Sequence, residues 1–320
     1  MGMPKILVTR RITTSALDRL HKDGQVVLWD DQLPPSYDQL THMLEDCDGL
    51  LCLLTDNIDG ELLASASQLR VVSTMSVGFE HIDLEACRNY GIKVGHTPGV
   101  LTQTTADFTM ALMLSVSRRI PEAVHFAQSG QWKTWDPGLL LGQDLHNAAV
   151  GIIGMGRIGQ AVARRISTFG SQLLYHDLSR VKDIEKELNA VAVELDDLLK
   201  SVDIVSLHVP QTERTYQMIS HPQFEIMKPS SILINTSRGT VVDTNALLQA
   251  LREGKIAAAG LDVTDPEPLP HNHPLYELPN CLITPHIASA GAATRAKMAH
   301  MAVDNLLAGL HGKPLPNPVV

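Results

Sequence analysis

The sequence predicts an α/β protein that contains two doubly wound parallel sheets. Short apolar runs alternate with polar, helix-length segments along almost the whole chain, which is the pattern of repeated β-α units. The series occurs twice, once in the first third of the chain and once from Ala148 onward, with a helical pattern between the two. Because 320 residues are long for one core and comfortable for two, we interpret the two series as two domains.

The first series contains five strand-like runs separated by polar segments of helical length. These runs are Lys5–Val8, Gln25–Leu28, Gly49–Leu54, Arg70–Ser73 and Ile92–Val94. From Thr104 to about Gln128 the pattern then predicts one long helix, which Pro98-Gly99 precedes and Ser129-Gly130 ends.

The second series contains six strand-like runs and leads into a final helix. The runs are Ala148–Ile153, Gln172–Tyr175, Asp203–Leu207, Ser231–Ile234, Ala258–Leu261 and Cys281–Ile283. The final helix is predicted over roughly Ala292–Leu310, because Met298, Ala302 and Leu306 recur at helical spacing. Domain boundaries are therefore expected near residue 100 and again near residue 290.

The composition is that of an ordinary globular protein, with 44% hydrophobic and 19% charged residues. No apolar run reaches the ~18 residues that span a bilayer, and a net charge of −9 with scattered basic residues argues against nucleic acid as a partner. The first residues run directly into a strand-like segment, without a signal peptide or basic presequence, so we expect a cytoplasmic protein. The four cysteines form no Cys-x-x-Cys pair, and we expect buried free thiols and no metal site.

A glycine-rich motif, Gly154-Met155-Gly156-Arg157-Ile158-Gly159, follows the first strand of the second series. The motif is weak by itself, but a strand precedes it and an amphipathic helix follows it. Gly154 permits a tight turn, Gly156 lets a pyrophosphate approach the backbone, and Gly159 lets helix and strand pack closely. The helix N-terminus offers unpaired N–H groups to the anion. The motif therefore predicts a dinucleotide site.

The next strand ends at Asp177, which lies 18 positions after Gly159 and close to the ~20 expected of an acidic ribose-binding residue. A carboxylate there accepts hydrogen bonds from the ribose hydroxyls and repels a 2′-phosphate, so it favours NAD over NADP. Arg180 lies nearby and keeps NADP open as the alternative.

Later strands of the second series end in polar segments that contain Arg238, Glu267 and His286. Ligands of an open parallel sheet bind beyond the carboxyl ends of its strands, so these residues can meet in one crevice. An arginine can hold a carboxylate by two hydrogen bonds, and a histidine beside a carboxylate can exchange a hydroxyl proton near neutral pH. Each residue alone could be structural, since the chain has 14 histidines. Their joint occurrence behind a dinucleotide turn favours the reduction of a 2-keto acid.

At these residues the sequence resembles the D-isomer-specific 2-hydroxyacid dehydrogenases, and among them the glyoxylate/hydroxypyruvate reductases. The similarity runs from the first strand to the last helix and is most specific over Gly254–Pro270. The resemblance implies a Rossmann dinucleotide-binding domain over residues 102–288. It also implies a discontinuous flavodoxin-like substrate domain made of residues 1–101 and 289–320.

The resemblance also implies roles for individual residues. His286 would be the acid/base, Glu267 its carboxylate partner and Arg238 the substrate anchor. The substrate-binding set would be Val77, Gly78, Arg238, His286, Ser289 and, from the neighbouring subunit of a homodimer, Trp135. Asp262 would face the nicotinamide end of the cofactor, within a cofactor-binding set of Gly154, Gly156, Arg157, Ile158, Gly159, Asp177, Val209, Pro210, Thr236, Asp262 and Ala288.

Two positions depart from the family pattern. Asp177 and Leu178 stand where animal members have an uncharged residue followed by an arginine that suits NADP, so we expect NAD(H) as the cofactor, with NADP(H) as the alternative. Leu139 stands where a second tryptophan is expected, which concerns substrate preference.

We therefore expect an oxidoreductase that reduces glyoxylate and hydroxypyruvate to glycolate and D-glycerate with NAD(P)H. A 2-ketogluconate-type and a phosphoglycerate-type dehydrogenase are the alternatives among enzymes. Long phosphoglycerate enzymes add a regulatory domain for which 320 residues leave no room. The non-enzyme alternative is an NAD-sensing protein of the corepressor kind, and such proteins carry extra terminal segments that this sequence lacks.

Overall fold

The computed structural model describes residues 2–320. The chain divides into two compact units. The first is made of the residues up to Leu101 together with Ala290–Val320, and the second is Thr102–Ser289. Each unit is built on one parallel sheet. The predicted class, an α/β protein with two parallel-sheet domains, is confirmed.

The first unit has a five-stranded parallel sheet with the order β2-β1-β3-β4-β5. Its strands are β1 (Lys5–Val8), β2 (Gln25–Leu28), β3 (Gly49–Cys52), β4 (Val71–Thr74) and β5 (Lys93–Gly95). Its helices are α1 (Thr14–Asp23), α2 (Tyr37–Leu44), α3 (Gly60–Ser65), α4 (Leu84–Asn89) and α12 (Ala292–Leu310). This strand order is that of flavodoxin-like sheets.

Helix α12 joins the first unit although it lies at the far end of the chain. β3 and β4 are buried along their whole length, as expected of a parallel sheet that helices cover on both faces. Gly309 allows the helix to approach, since a Cβ at this position would lie 2.6 Å from the Val71 side chain. The Ser73 hydroxyl donates to the Ala302 carbonyl over 2.8 Å and connects β4 to the helix.

The second unit has a seven-stranded parallel sheet with the order β12-β11-β10-β9-β6-β7-β8. Its strands are β6 (Ala149–Ile153), β7 (Gln172–His176), β8 (Val191–Ala192), β9 (Ile204–Leu207), β10 (Ile232–Asn235), β11 (Ala258–Leu261) and β12 (Cys281–Ile283). Its helices are α5 (Thr102–Ser117), α6 (Ile120–Gln128), α7 (Arg157–Ser167), α8 (Lys182–Leu188), α9 (Leu195–Ser201), α10 (His221–Ile226) and α11 (Thr244–Arg252). The order reverses between β6 and β9, which is the switch point of a Rossmann sheet and the place where such sheets bind ligands.

The single helix predicted between Thr104 and Gln128 is wrong. The structure has two helices, α5 and α6, separated at Arg119, whose backbone is left-handed with φ of 51°. In a continuous helix the Ser117 carbonyl would accept from the amide of Pro121, but proline has no N–H. That carbonyl instead accepts from the Gln143 amide over 2.8 Å. The apolar periodicity continues across this break, so it did not reveal it.

The two-residue strand β8 was not predicted from the sequence, because two residues at the edge of a sheet carry no detectable alternation.

The expectation of free thiols is confirmed for all four cysteines. Cys47, Cys52 and Cys87 are buried and Cys281 is half-buried. Burial raises the pKa of Cys47 and Cys87 to about 11, which keeps both thiols protonated at neutral pH. Within residues 2–320, no helix has the length and apolar character needed to cross a membrane.

Candidate active site

The glycine-rich turn connects β6 to α7 at the switch point of the second unit. Gly154 has φ of +94°, and a Cβ there would lie 2.7 Å from the backbone of His208. A Cβ at Gly159 would lie 2.1 Å from the Gly154 carbonyl oxygen. A Cβ at Gly156 would meet nothing within 4 Å, so the backbone at the start of α7 faces open space. This cradle fits the pyrophosphate of a dinucleotide, which needs close access to the N–H groups at a helix N-terminus.

Asp177 lies directly after β7 and is attached to the same turn. One carboxylate oxygen, Oδ2, accepts from the Met155 amide over 2.7 Å, and Oδ1 accepts more weakly from the Ser179 amide at 3.4 Å. These bonds hold the carboxylate at the turn and leave lone pairs for a further donor. The next side chain, Leu178, is 85% exposed.

Arg238 follows β10 in a loop that Asn235 shapes. The side-chain amide of Asn235 donates to the Arg238 carbonyl over 2.8 Å, and its Oδ1 accepts from the Ser237 amide over 3.0 Å. The half-buried Arg238 guanidinium donates from Nη1 to the Ser237 carbonyl over 2.8 Å. The polar residue that ends this apolar strand therefore fixes the backbone that carries the arginine.

The loop of Arg238 packs against the loop of Glu267. A Cβ at Gly239 would lie 1.9 Å from the Thr264 carbonyl oxygen, so only glycine permits this approach. The Thr244 hydroxyl donates to the Asp265 carbonyl over 2.6 Å and joins the two segments a second time. The loops that follow β10 and β11 are therefore packed directly against each other.

His286 and Glu267 form a direct pair. Nδ1 of His286 lies 2.6 Å from Oε1 of Glu267, and the other carboxylate oxygen accepts from the Thr264 amide over 3.3 Å. The carboxylate is an acceptor, so Nδ1 carries the proton and the neutral ring presents Nε2 as its acceptor. The two side chains are 27% and 34% exposed, so a small molecule can reach them.

Asp262, the predicted neighbour of the nicotinamide, makes hydrogen bonds to the His286 loop that the sequence did not predict. Its side chain is 1% exposed, and Oδ1 accepts from the Thr284 hydroxyl at 2.7 Å and the Ile287 amide at 2.9 Å. Oδ2 accepts from the Ala288 amide at 2.7 Å. These bonds enclose His286, whose backbone is left-handed with φ of 53°. Asp262 therefore stabilises the strained loop that carries the imidazole.

A second histidine, His208, follows β9 at the same edge of the sheet and was not singled out from the sequence. Its Nε2 lies 2.8 Å from the Ser206 hydroxyl, and its Nδ1 is buried without a hydrogen-bond partner among residues 2–320. Burial lowers the pKa of His208 to about 3, which keeps this ring neutral. The signal that could have found it is its place directly after a buried strand, beside the glycine turn.

The remaining predicted cofactor-binding residues are also in the second unit. Thr236 and Ala288 are buried. The Thr236 hydroxyl lies 2.9 Å from that of Thr109, and the Ala288 amide donates to Asp262. The others differ in exposure: Ile158 and Val209 are half-buried, while Arg157 and Pro210 are exposed.

The other predicted substrate-binding residues belong to both units. Ser289 is half-buried after the His286 loop, and Trp135 is 80% exposed. Val77 and Gly78 belong to the first unit, in the loop after β4. The Val77 carbonyl lies 2.9 Å from Nδ1 of His96. No group of three or more His, Cys, Asp or Glu side chains within residues 2–320 could hold a metal ion.

Known proteins resemble this chain along its whole length. The sequence model of the NAD binding domain of the D-isomer specific 2-hydroxyacid dehydrogenases matches residues 110–288. A glyoxylate reductase of Korarchaeum cryptofilum (strain OPF8) is 47% identical over 317 residues, which cover 99% of this chain and 96% of that protein. A Homo sapiens glyoxylate reductase/hydroxypyruvate reductase is 44% identical, with 98% of this chain and 97% of the relative covered.

Solved structures agree with these relatives. The crystal structure of a protein from Thermus thermophilus has a TM-score of 0.93 and 48% sequence identity, and the match covers 99% of this chain and 100% of that one. The glycine cradle, the paired histidine and carboxylate, and these matches agree: the chain belongs to the D-isomer specific 2-hydroxyacid dehydrogenase family.

Proposed function

We propose that this dehydrogenase reduces glyoxylate and hydroxypyruvate to glycolate and D-glycerate. The observation that carries the proposal is the 2.6 Å pair of His286 and Glu267 on the same sheet edge as a dinucleotide cradle. Relatives named glyoxylate reductase at 42–47% identity support the choice of substrate.

His286 is the proposed acid/base. Glu267 accepts the hydrogen bond from Nδ1, which orients the ring and leaves Nε2 for a ligand. A nicotinamide dinucleotide, when bound at the glycine turn, would supply the hydride. His286 then gives the Nε2 proton to the carbonyl oxygen during reduction and takes it back in the reverse direction. Asp262 has no direct part in this scheme and acts by holding the loop.

Arg238 is the proposed anchor of the substrate carboxylate, because a guanidinium can bind a carboxylate through two parallel N–H groups. The amides of Val77 and Gly78 are proposed to bind the same carboxylate, with Ser289 as a further contact. Side chains hold both carbonyls of that loop, since His96 contacts the Val77 carbonyl and the Ser76 hydroxyl donates to the Gly78 carbonyl over 2.5 Å. This support orients the loop before any ligand binds. We accordingly assign substrate binding to residues 1–101 and 289–320.

We propose NAD(H) as the preferred coenzyme. Asp177 is anchored at the glycine turn, where its carboxylate would accept from ribose hydroxyls and repel a 2′-phosphate. The following residue, Leu178, has no cation to offer such a phosphate.

We also propose a homodimer in which Trp135 reaches the partner's site. Trp135, Trp132 and Leu141 are 80%, 64% and 69% exposed, and such large apolar side chains favour a protein partner over water.

A coupled set of rate measurements tests the proposed function. The purified protein is assayed with NADH and with NADPH against glyoxylate, hydroxypyruvate, pyruvate, 2-ketogluconate and phosphohydroxypyruvate, by the loss of nicotinamide absorbance. The two small acids should give the highest kcat/KM, and NADH should be preferred. Highest activity with 2-ketogluconate or phosphohydroxypyruvate would replace the substrate assignment. Coenzyme binding without oxidation by any keto acid would favour an NAD-sensing protein.

A further inference from the structure

Arg180 is the cation that lies nearest in sequence to the ribose-binding carboxylate, three positions after Asp177 in the loop between β7 and α8. An arginine in this loop is the usual means by which a Rossmann domain binds the 2′-phosphate of NADP. From the sequence alone, Asp177 therefore favours NAD and Arg180 favours NADP. In the structure, the Arg180 guanidinium is paired with a protein carboxylate.

Arg180 is held by Glu185, which lies on helix α8. Nε of the guanidinium donates to Oε1 over 3.0 Å, and Nη2 donates to Oε2 over 2.5 Å. This is the two-bond geometry that the same guanidinium would use for a phosphate. The fork of Arg180 is thus already occupied by a protein carboxylate.

Glu185 is itself held from the buried side of the loop. The hydroxyl of Tyr175, a residue of β7 that is 1% exposed, donates to Oε1 of Glu185 over 2.7 Å. The same hydroxyl accepts from the Val181 amide over 2.8 Å, which ties the loop to the sheet. The bonds from Arg180 and Tyr175 lower the pKa of Glu185 to about 2, so the carboxylate stays charged at any working pH.

We propose that Glu185 is a coenzyme-specificity residue that withholds Arg180 from a 2′-phosphate and so strengthens the preference for NAD(H). The inference rests on the proposed function only in that the cradle binds a nicotinamide dinucleotide. Two carboxylates, Asp177 and Glu185, then flank the loop, and a phosphate there would meet both charges. Asp177 acts by repulsion, and Glu185 acts by occupying Arg180, the one cation among residues 177–181 that connect β7 to α8.

The test measures the direct binding of NADH and of NADPH to the whole protein. The fluorescence of the reduced nicotinamide reports the binding. Glu185→Gln keeps an acceptor for Tyr175 and removes the charge that holds Arg180. We expect the Kd for NADPH to fall by about twofold to fivefold, the scale of one exposed charge pair, while the Kd for NADH stays unchanged. The same substitution in an Asp177→Ala background keeps the change measurable if Asp177 repulsion makes NADPH binding very weak.

Two controls isolate the mechanism. Arg164 and Glu187 form a similar two-bond pair between α7 and α8, at 2.7 and 2.9 Å, so Glu187→Gln should leave both Kd values unchanged. Arg180→Ala should leave NADPH binding unchanged in the wild type and abolish the gain in the Glu185→Gln variant.

Three results would overturn the proposal: no change in the NADPH Kd of Glu185→Gln in either background, an equal change for both coenzymes, or weaker NADPH binding in Arg180→Ala alone. Because these are binding measurements, they stand apart from the keto acid assay. If the substrate assignment were wrong, the two coenzyme Kd values would still test the role of Glu185.

Discussion

His208 and His286 each follow a strand at the carboxyl edge of the same sheet, yet their surroundings are opposite. His208 is paired with the Ser206 hydroxyl, has a buried and unpartnered Nδ1, and has a pKa lowered to about 3 by burial. His286 is paired with the Glu267 carboxylate and is 27% exposed. The first ring stays neutral because it is buried, while the second has a carboxylate hydrogen-bonded to its Nδ1. A place after a strand brings a histidine to the carboxyl edge of the sheet, but a carboxylate partner and access to solvent equip it for proton transfer.

The largest effect should separate these two rings directly. His286→Ala removes the proposed proton donor, and we expect kcat for glyoxylate reduction to fall by at least ~100-fold, the usual scale for a positioned acid/base. His208→Gln keeps a polar group of similar size and should reduce kcat by less than about tenfold, since a ring that stays neutral is a poor general acid. Steady-state kinetics on both variants would decide, and similar losses in the two would contradict the assignment.

The second test concerns Arg238, in the loop that follows β10. Arg238→Ala should lower kcat/KM for glyoxylate by at least ~100-fold, because the substrate carboxylate loses a two-bond anchor. Arg238→Lys is the matched control: it keeps the charge, loses the fork, and should recover only part of the loss. NADH binding, measured separately, should be unaffected. An Arg238→Ala enzyme with wild-type kcat/KM would exclude this role.

The third test asks whether Asp262 acts through the loop. Asp262→Asn leaves one of the three donors on Oδ1 and Oδ2 without its acceptor, and we expect a loss of roughly 1–3 kcal/mol in the free energy of unfolding. kcat should fall by about tenfold, because the left-handed backbone at His286 loses support. Urea unfolding and kinetics on the same preparation measure both. Lower kcat without any loss of stability would indicate instead that Asp262 contacts the cofactor.

The last effect, which should be seen only at acidic pH, is the pH dependence of stability that His208 contributes. Its pKa is about 3 in the folded protein against 6.5 for the free side chain, so between these values the unfolded chain binds a proton that the native state does not. This residue therefore lowers stability as pH falls from about 6.5 toward about 3. His208→Gln should flatten that decline by on the order of 1 kcal/mol per pH unit. Urea unfolding at several pH values measures this. If the free energy of unfolding falls with pH equally in the wild type and the variant, the His208 ring does not stay neutral in the folded protein.

Much of the fold was readable from local pattern. Each of the eleven predicted strands is present to within two residues, because apolar runs bounded by polar segments are a strong local signal. The break at Arg119 was missed because Pro121 lies early in α6, where proline is also compatible with a helix. The short strand β8 was missed because it is formed by pairing with β7 and not by its own two residues.

The amino-acid sequence alone determined the two parallel-sheet domains, the glycine turn and the candidacy of Arg238, Glu267 and His286, since spacing and residue type suffice for these. Only the tertiary structure decided how Asp262 binds the amides around it and that Glu185 pairs with Arg180. For the pair of Glu267 and His286, which the resemblance implied, the structure supplied the 2.6 Å geometry. A hydrogen bond requires its two atoms to lie within a few tenths of an ångström of a preferred separation. No periodicity encodes those separations, so the residue pattern could nominate these groups but not the geometry in which they pair.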